Sequence, residues 1–317
     1  MAKTPAPKKS AASPSRSAAR PSSARGTGRP AGLFTWIALA VVVVVVVALV
    51  VIKVSSGSSP SGSDVFQPTN ATTLAQLTTV PSTVFDSVGV TSSVAPVAAP
   101  IPLKGQPALT ATTSTGARVP EIFYLGAEYC PYCAAERWPT IVALSRFGTW
   151  HGLGDTSSGA KDIYPGTPTF TFLKAHYSSP YLVFRSVEAY TNVYSPALNF
   201  YTPLQKPTAA ENALFKKYDT STYIPNMPAS ADGSIPFISL GNRYLVSGAS
   251  YSPAALTGLT RSQIASGLSN AQSPVTDAIV ATANYLSAAI CQLTKGHPGT
   301  VCQSPGVRAA KKAMGIK

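Results

Sequence analysis

The hydrophobic pattern after residue 106 predicts a domain of alternating strands and helices. Residues 119–125 form a short apolar run of the kind typical of a buried strand. Residues 134–147 have apolar side chains at helical spacing and contain Pro139, which is predicted to kink the helix. The same pattern predicts strands at 169–173 and 181–187, a helix at 208–218, a hairpin at 237–246 around Gly241-Asn242, and a helix at 275–293. This order predicts an α/β fold with a mixed central sheet flanked by helices.

A longer apolar segment precedes this domain. Residues 33–52 begin at Leu33, end at Ile52 and carry no charge. A helix of this length, at about 1.5 Å per residue, matches a hydrocarbon core about 30 Å thick. A buried core helix would have polar positions on one face, and a cleaved signal peptide would end at a small-residue cleavage site. Neither feature is present, so we expect one transmembrane helix that keeps the chain attached to the membrane.

The charge distribution predicts the orientation of the chain. Residues 1–32 contain seven basic residues and no acidic residue in a background of Ser, Ala, Pro and Gly. This composition predicts a disordered tail, which the positive-inside rule places in the cytoplasm. The net charge of +13 arises mostly there, since residues 54–317 carry 17 basic and 12 acidic residues. We therefore expect an extracytoplasmic domain on a single-pass protein of the cytoplasmic membrane, with no nucleic-acid partner.

Composition also suggests the domain boundaries. Residues 53–105 are predicted to be a linker or stalk because they begin with a Ser/Gly-rich stretch, although an extension docked on the main domain is also compatible. Residues 106–305 form the predicted folded domain. Residues 306–317 are predicted to be a C-terminal tail.

The sequence Cys130-Pro131-Tyr132-Cys133 lies between a predicted strand and a predicted helix. The N-terminus of a helix favours a thiolate at the first cysteine. The second cysteine follows one turn later, within disulfide reach. Cys130 can therefore attack a substrate disulfide and Cys133 can resolve the mixed disulfide, with no cofactor. Pro131 restricts the loop, and Tyr132 packs against it or gates it.

Two other interpretations of these cysteines are open. They could be half of a zinc site, but no second Cys-x-x-Cys follows, and Cys291, His297 and Cys302 would have to fold onto the motif. They could also form a static disulfide. His151 and His176, like His297, have no metal-ligand neighbour three or four residues away, so no metal site is expected.

The segment Ala127-Glu128-Tyr129-Cys130-Pro131-Tyr132-Cys133 resembles the active-site segment of the thioredoxin superfamily. There, a strand leads into an aromatic residue, a Cys-x-x-Cys and a kinked helix. Ile235-Pro236, just before the predicted strand at 237–240, is similar in placement to the cis-proline of that family. The resemblance implies that Cys130 is the nucleophile, that Cys133 is the resolving cysteine, and that Pro236 with the backbone of Ile235 forms a substrate platform.

The chain departs from the thioredoxin pattern in several ways. The distance from Cys133 to Pro236 implies an insertion at about 151–207, and Tyr124 occupies the position of the usual buried acid. The membrane anchor and a second cysteine pair are further differences. Together these features resemble an uncharacterised prokaryotic family of exported thioredoxin-like proteins, domain of unknown function 929, over roughly residues 106–305. That resemblance implies no established activity.

Cys291 and Cys302 enclose a 12-residue loop that contains glycine and proline. The simpler interpretation is a structural disulfide, worth roughly 3 kcal/mol by loop entropy. The alternative is a second redox pair that exchanges electrons with the first.

Several residues near the motif have two interpretations. Glu128 and Glu136 are expected to be solvated surface acids, although they could affect the cysteine pKa values. A group of tyrosines could line a peptide groove or pack in the core: Tyr177, Tyr181, Tyr190, Tyr194 and Tyr201.

The sequence as a whole predicts a membrane-anchored, extracytoplasmic thiol–disulfide oxidoreductase. Its expected partners are protein thiols and disulfides, together with a redox partner in the membrane. Two alternatives remain, namely a non-catalytic binding or assembly module on the same scaffold and a metal-handling protein that uses the same thiols.

Overall fold

The computed structural model describes residues 66–93, 96–113 and 115–316. Its strands are β1 (Gln67–Pro68), β2 (Ile101–Pro102), β3 (Thr110–Thr112), β4 (Arg118–Gly126), β5 (Thr149–His151), β6 (Gly154–Ser157), β7 (Pro168–Thr171), β8 (His176–Ser178), β9 (Val183–Glu188), β10 (Tyr190–Ser195), β11 (Phe200–Pro203), β12 (Phe237–Leu240) and β13 (Tyr244–Ser247). Its α-helices are α1 (Ala71–Thr78), α2 (Ser82–Val88), α3 (Pro131–Leu144), α4 (Ala209–Tyr218), α5 (Arg261–Gly267), α6 (Pro274–Leu293), α7 (Gly299–Cys302) and α8 (Pro305–Ala313). The predicted tail at 1–32 and membrane helix at 33–52 lie outside the described residues. Within those residues, no helix has the length and apolar character needed to cross a bilayer.

A mixed sheet lies at the centre of the domain, as the sequence predicted. Its strand order is β2-β13-β12-β4, and both β3 and β9 also pair with β4. Strand β9 runs parallel to β4, whereas β12 and β3 run antiparallel to it. Strand β4 is therefore the central strand, and the cysteine motif follows directly from its carboxyl end.

Helices cover both faces of this sheet. Successive side chains of a strand point to opposite faces, and β4 follows this rule. Ile122 and Tyr124 belong to the larger core, which also contains buried residues of α3 and α6. Phe123 and Leu125 belong to a smaller core with Tyr218 of α4. This double coverage accounts for the nearly continuous apolar run of β4, since both faces of the strand are buried.

The described residues between 66 and 105 are docked on the domain, which corrects the prediction of a linker or stalk for them. Leu77 and Phe85 are buried in the larger core. The side-chain amide of Asn284 in α6 donates hydrogen bonds of 2.8 Å to the carbonyls of Phe85 and Gly89. Strand β2 extends the central sheet by pairing with β13. The docked extension, which the sequence left open, is the arrangement present.

The C-terminal residues also differ from the prediction of a tail. Helix α8 buries Val307 and Ala310 in the larger core. The backbone N–H of Gly306 donates to the Asp86 carboxylate at 3.0 Å, which fastens the start of α8 to α2.

The range 151–207, predicted to be an insertion, includes β9, which is part of the central sheet. The strands of this range that lie outside the central sheet form two groups. Strands β5 to β8 lie between α3 and β9, and the hairpin of β10 and β11 follows β9. The second group reaches the cysteine motif.

Candidate active site

Cys130 is the N-cap residue of helix α3. Its backbone is extended, its sulfur accepts a hydrogen bond from the backbone N–H of Cys133 at 3.3 Å, and Pro131 occupies the first turn. Proline is favoured there because its missing N–H would have no partner within the helix. The helix therefore begins three residues earlier than predicted, directly after Cys130.

The two cysteine sulfurs have unequal environments. A hydrogen bond from the Cys133 thiol lowers the pKa of Cys130, as do the backbone N–H of Cys133 and the charge of Arg137, although burial opposes them. Burial raises the pKa of Cys133 well above its usual value. Cys130 is about 5% exposed and Cys133 is fully buried. The thiolate is thus favoured on Cys130, the one residue of the pair with any exposed surface.

Ile235 and Pro236 lie beside Cys130, and the peptide bond between them is cis. The Cys130 thiol donates to the Ile235 carbonyl at 3.7 Å. Sheet register produces this contact, because Phe237 at the start of β12 pairs with Leu125 near the end of β4. The loop before β12 therefore meets the loop after β4, and the structure brings the expected platform residues to the motif.

A buried ion pair lies behind the motif and was not foreseen from the sequence. The Arg137 guanidinium donates to both carboxylate oxygens of Glu188, at 2.9 and 2.6 Å, and to the Ala127 carbonyl at 2.7 Å. Both side chains of the pair are fully buried. The register of β4 and β9 explains why Glu188 is the partner of Arg137, since Glu188 pairs with Gly126 at the end of β4. In the sequence, Arg137 follows Glu136 and Glu188 is three residues after Arg185, so neither charge stands out as a buried one.

Tyr124, the residue at which the resemblance expected a buried acid, is fully buried. Its ring lies 5.8 Å from the Arg137 guanidinium, and its hydroxyl has no hydrogen-bond partner among the described residues. Burial raises the pKa of Tyr124 well above its ordinary value. The interior beside the cysteines therefore contains a neutral phenol and a paired cation where thioredoxins have a carboxyl group.

Glu128 and Glu136 are buried, so the expectation of solvated surface acids is wrong. Glu136 is fully buried and accepts hydrogen bonds from the backbone N–H and the hydroxyl of Ser250, at 2.8 and 3.2 Å. Burial raises the pKa of Glu136 to about 7. Burial also raises the pKa of Glu128. The prediction failed because a charged residue is normally exposed, and the sequence contains no sign of the exception.

An aromatic cluster adjoins Cys130. The Tyr129 ring stacks on Tyr201 with centroids 4.2 Å apart, and it meets Tyr190 and Phe200 edge-on at 6.1 and 5.3 Å. A Cβ atom at Gly159 would collide with the Tyr201 ring, so glycine is required where the 158–167 loop approaches it.

The tyrosines that had two interpretations fall into two groups. Tyr190, Tyr194 and Tyr201 belong to the β10–β11 hairpin beside the motif. Tyr177 instead packs on Trp150 and donates to the Leu144 carbonyl at 2.9 Å, and Tyr181 packs against the larger core.

Cys291 and Cys302 form a disulfide with their Cα atoms 5.5 Å apart. Both residues are buried in the larger core. Within the described residues, His, Cys, Asp and Glu side chains do not gather in the groups of three or more that could hold a metal ion. His151 and His176, which are far apart in the sequence, face each other across β5 and β8.

A family model described as domain of unknown function (DUF929) matches residues 111–292. The chain belongs to the DUF929 family. This agrees with the resemblance found in the sequence. Comparisons with curated proteins and with solved structures gave no match.

The DUF929 region contains the chemistry described above. The cysteine motif, the Arg137–Glu188 ion pair and Ile235 all lie inside residues 111–292. Cys291 lies just inside the DUF929 limit and Cys302 lies beyond it. The disulfide therefore joins the last long helix of the DUF929 region to the C-terminal helices that follow it.

Proposed function

We propose that this chain is a thiol–disulfide oxidoreductase that acts on protein cysteines through Cys130 and Cys133. The observation that carries the proposal is the inequality of the two sulfurs. The pKa of Cys130 is lowered at the start of α3, beside the Ile235 carbonyl, whereas burial raises the pKa of Cys133. Because the thiolate is the attacking species in disulfide exchange, the two residues suit different steps of one reaction.

We also propose that the fold is thioredoxin-like. Several features support this proposal. The chain order is strand β4, cysteine motif, helix α3, parallel strand β9, helix α4, antiparallel hairpin β12–β13 and helix α6. Helices cover both faces of the sheet, and Ile235-Pro236 precedes β12 at the position where the resemblance expects a cis-proline.

The reaction proceeds by two sulfur displacements. The Cys130 thiolate attacks one sulfur of a substrate disulfide, so a mixed disulfide forms and the other substrate sulfur departs as a thiolate and takes up a proton. Cys133 loses its proton and attacks the Cys130 sulfur. The mixed disulfide then breaks, the second substrate thiol is released, and a Cys130–Cys133 disulfide remains. Two electrons pass from the motif to the substrate, and the reverse sequence oxidises a substrate dithiol.

The residues around the motif have separate roles in this scheme. The buried charge of Arg137 helps to lower the pKa of Cys130 and opposes the rise that burial causes in the pKa of Cys133. It therefore favours the thiolate at both steps. Glu188 balances that charge and holds the guanidinium in place through two hydrogen bonds. The backbone of Ile235 is positioned to bind the substrate chain beside its reacting sulfur. Tyr132 is 40% exposed at the surface of the motif and limits access to it.

A trapping experiment tests the assignment. Cys133→Ala should accumulate substrates as long-lived mixed disulfides on Cys130, because the resolving sulfur is missing. Cys130→Ala should accumulate almost none. Both variants should lose turnover with a peptide disulfide. The measurement is the amount of reductant-sensitive, higher-mass species on a non-reducing gel, compared with the wild-type chain.

Two results would oppose the proposal. Equal trapping by the two variants would remove the distinction between nucleophile and resolving cysteine. Exchange that is as fast in both variants as in the wild type would favour a non-catalytic binding module on the same scaffold.

We further propose that the domain faces an oxidising, extracytoplasmic compartment and is anchored through residues 33–52. The Cys291–Cys302 disulfide supports this location, because such bonds persist mainly outside the reducing cytosol. A redox partner in the same membrane would then renew the motif after each cycle. Protease added to cells without their wall should remove residues 54–317. Protection of that region, with digestion of residues 1–32, would reverse the orientation.

A further inference from the structure

Exposed apolar side chains lie at the cysteine motif and on the hairpin beside it. Among the described residues, four large apolar side chains are strongly exposed: Tyr132 at 40%, Phe200 at 41%, Leu198 at 56% and Ile163 at 69%. Tyr132 is part of the motif, and Phe200 contacts Tyr129 next to Cys130. An exposed apolar patch beside a reactive group is typical of a binding surface.

Two of these side chains belong to the hairpin of β10 and β11. Leu198 lies in the turn between the strands, and Phe200 begins β11, opposite Ser195. The base of the hairpin is attached to the motif segment, since the backbone N–H of Glu128 donates to the Tyr190 carbonyl at 2.9 Å. The position of the hairpin is thereby fixed relative to Cys130.

Aromatic packing completes the attachment. Tyr129 is held between the hairpin and the 158–167 loop, because its ring stacks on Tyr201 and its carbonyl accepts the Gly159 N–H at 2.7 Å. Phe200 also meets Tyr190 and Tyr201 edge-on, at 5.1 and 5.6 Å. The rings pack against one another from Tyr129, next to Cys130, into the hairpin, whose turn contains Leu198. This set is here called the aromatic wall, in which Tyr201 is buried and the other members are at least partly exposed: Tyr129, Tyr190, Tyr194, Leu198, Phe200 and Tyr201.

We propose that the aromatic wall binds the unfolded polypeptide that flanks a substrate cysteine, with an apolar side chain resting on Phe200 and Leu198. This inference rests on the proposed function, because the substrate sulfur must reach Cys130. An extended chain advances about 3.3 Å per residue, so residues two to four positions from the substrate cysteine lie over the wall. A small disulfide such as oxidised glutathione is too short to use it.

The chemistry of the wall fits a polypeptide better than a lipid chain. Three of its partly exposed members are tyrosines, namely Tyr129, Tyr190 and Tyr194, whose rings offer an apolar face together with a hydroxyl group. A cavity of about 210 Å³ opens beside β10 and is lined by polar groups that include Ser157, Lys161 and Asn192. Polar groups beside apolar rings can bind backbone N–H and C=O groups while the rings receive side chains.

The test compares peptide binding with small-disulfide exchange in the full chain. The binding probe is a fluorescein-labelled ten-residue peptide of Ser, Leu and Phe that lacks cysteine, measured by anisotropy. A matched peptide with Ser in place of Leu and Phe should bind at least about tenfold more weakly. The exchange probe is 5,5′-dithiobis(2-nitrobenzoate), a small disulfide with no peptide chain to extend over Leu198 and Phe200.

Three variants separate the wall from other exposed apolar residues. Phe200→Ser should raise the dissociation constant of the peptide by a factor about ten times larger than the factor by which it lowers the rate of exchange with the small disulfide. Leu198→Ser removes an apolar side chain that is 56% exposed in the hairpin turn, so it should weaken binding about threefold. Ile163→Ser is the control, because Ile163 is more exposed than either residue, at 69%, and lies outside the wall. It should leave both measurements unchanged. Circular dichroism checks that each variant is folded.

The outcomes distinguish this inference from the proposed function. Peptide binding that is insensitive to Phe200→Ser and Leu198→Ser, or equally sensitive to Ile163→Ser, would overturn the wall while exchange with the small disulfide continues. A wild-type chain that binds the peptide through Phe200 and Leu198 but exchanges no disulfide would support the wall and overturn the oxidoreductase.

Discussion

The Cys130–Cys133 pair and the Cys291–Cys302 pair are both buried, with no more than 5% of any of the four residues exposed. They differ in the helix ends that they occupy. Cys130 caps the N-terminus of α3, where the helix dipole favours a thiolate, whereas Cys291 lies in the last turn of α6, where the dipole opposes one. One pair is reduced and the other is bonded.

The two cysteine pairs also differ in the number of ionisable groups around them. Ionisable groups surround the first pair, with the Arg137–Glu188 ion pair behind it and Glu128 and Glu136 within six residues along the chain. The second pair belongs to the larger apolar core together with Val307 and Ala310. Reactivity therefore depends on charge and on helix position, and equal burial is compatible with either a redox role or a structural one.

The largest expected effect comes from removing the cation behind the first pair. Arg137→Leu leaves the Glu188 carboxylate buried without a cation, so the free energy of unfolding should fall by about 3 to 5 kcal/mol. The double variant Arg137→Leu/Glu188→Leu should recover most of that loss, because neither charge is then buried alone. Urea unfolding measures both. A double variant that is less stable than the single one would show that the ion pair stabilises the fold by more than the neutralisation of one buried charge by the other.

Removing the Cys291–Cys302 disulfide should have a smaller effect, which is confined to the free energy of unfolding. The double variant Cys291→Ala/Cys302→Ala should lose about 3 kcal/mol of unfolding free energy, from the loop-closure entropy of the disulfide. Its disulfide exchange through Cys130 should match that of the wild type at a temperature where both are folded. A loss of turnover in the folded variant would instead identify the second pair as an electron relay and remove the contrast between the pairs.

Alkylation sharpens the contrast within the first pair. In the native reduced chain, Cys130 should react with iodoacetamide on the order of 100-fold faster than Cys133 near neutral pH, because the thiolate is favoured on Cys130 and Cys133 is fully buried. Mass spectrometry of digested peptides gives the two rates. In urea the two cysteines should react at similar rates. Equal rates in the folded chain would contradict the assignment of Cys130 as nucleophile.

Local spacing was enough to predict much of the site. The apolar run that became β4, the helix that became α3 and the Cys-x-x-Cys between them are contiguous in the sequence. Together they predicted a cysteine at a helix N-terminus, and the structure has that arrangement. The hairpin around Gly241-Asn242 was predicted for the same reason, since a two-residue turn has a local signature.

What the sequence did not reveal depends on distant parts of the chain. Arg137 and Glu188 are 51 positions apart, and they meet only because the parallel register of β4 and β9 places Glu188 beside Gly126. The docking of residues 66–93 also depends on contacts far away in sequence, such as that of Asn284 with Phe85. No local pattern contains that information.

The smallest expected effect concerns Glu136, a buried acid on the helix that carries the first pair. Its carboxylate is hydrogen-bonded to Ser250, and burial raises its pKa from 4.5 to about 7. The folded chain therefore binds this proton more tightly than the unfolded chain does. The resulting stabilisation is complete below pH 4.5 and is lost as the pH rises through about 7. Burial raises the pKa of Asp219 to about 6, so this residue contributes in the same direction.

Glu136→Gln isolates this contribution, because glutamine retains an acceptor for Ser250 and does not titrate. Between pH 6 and pH 8, the unfolding free energy of the wild type should fall by about 1 to 1.5 kcal/mol relative to Glu136→Gln. The relevant quantity is the difference between the two chains, since Asp219 affects both equally. Urea unfolding across this range measures it, with Asp162→Asn as the control at a partly exposed acid. A difference that does not change with pH would show that Glu136 is already ionised at pH 6. The interior around α3 would then contain an ionised Glu136 carboxylate, whereas the core around the Cys291–Cys302 disulfide is apolar.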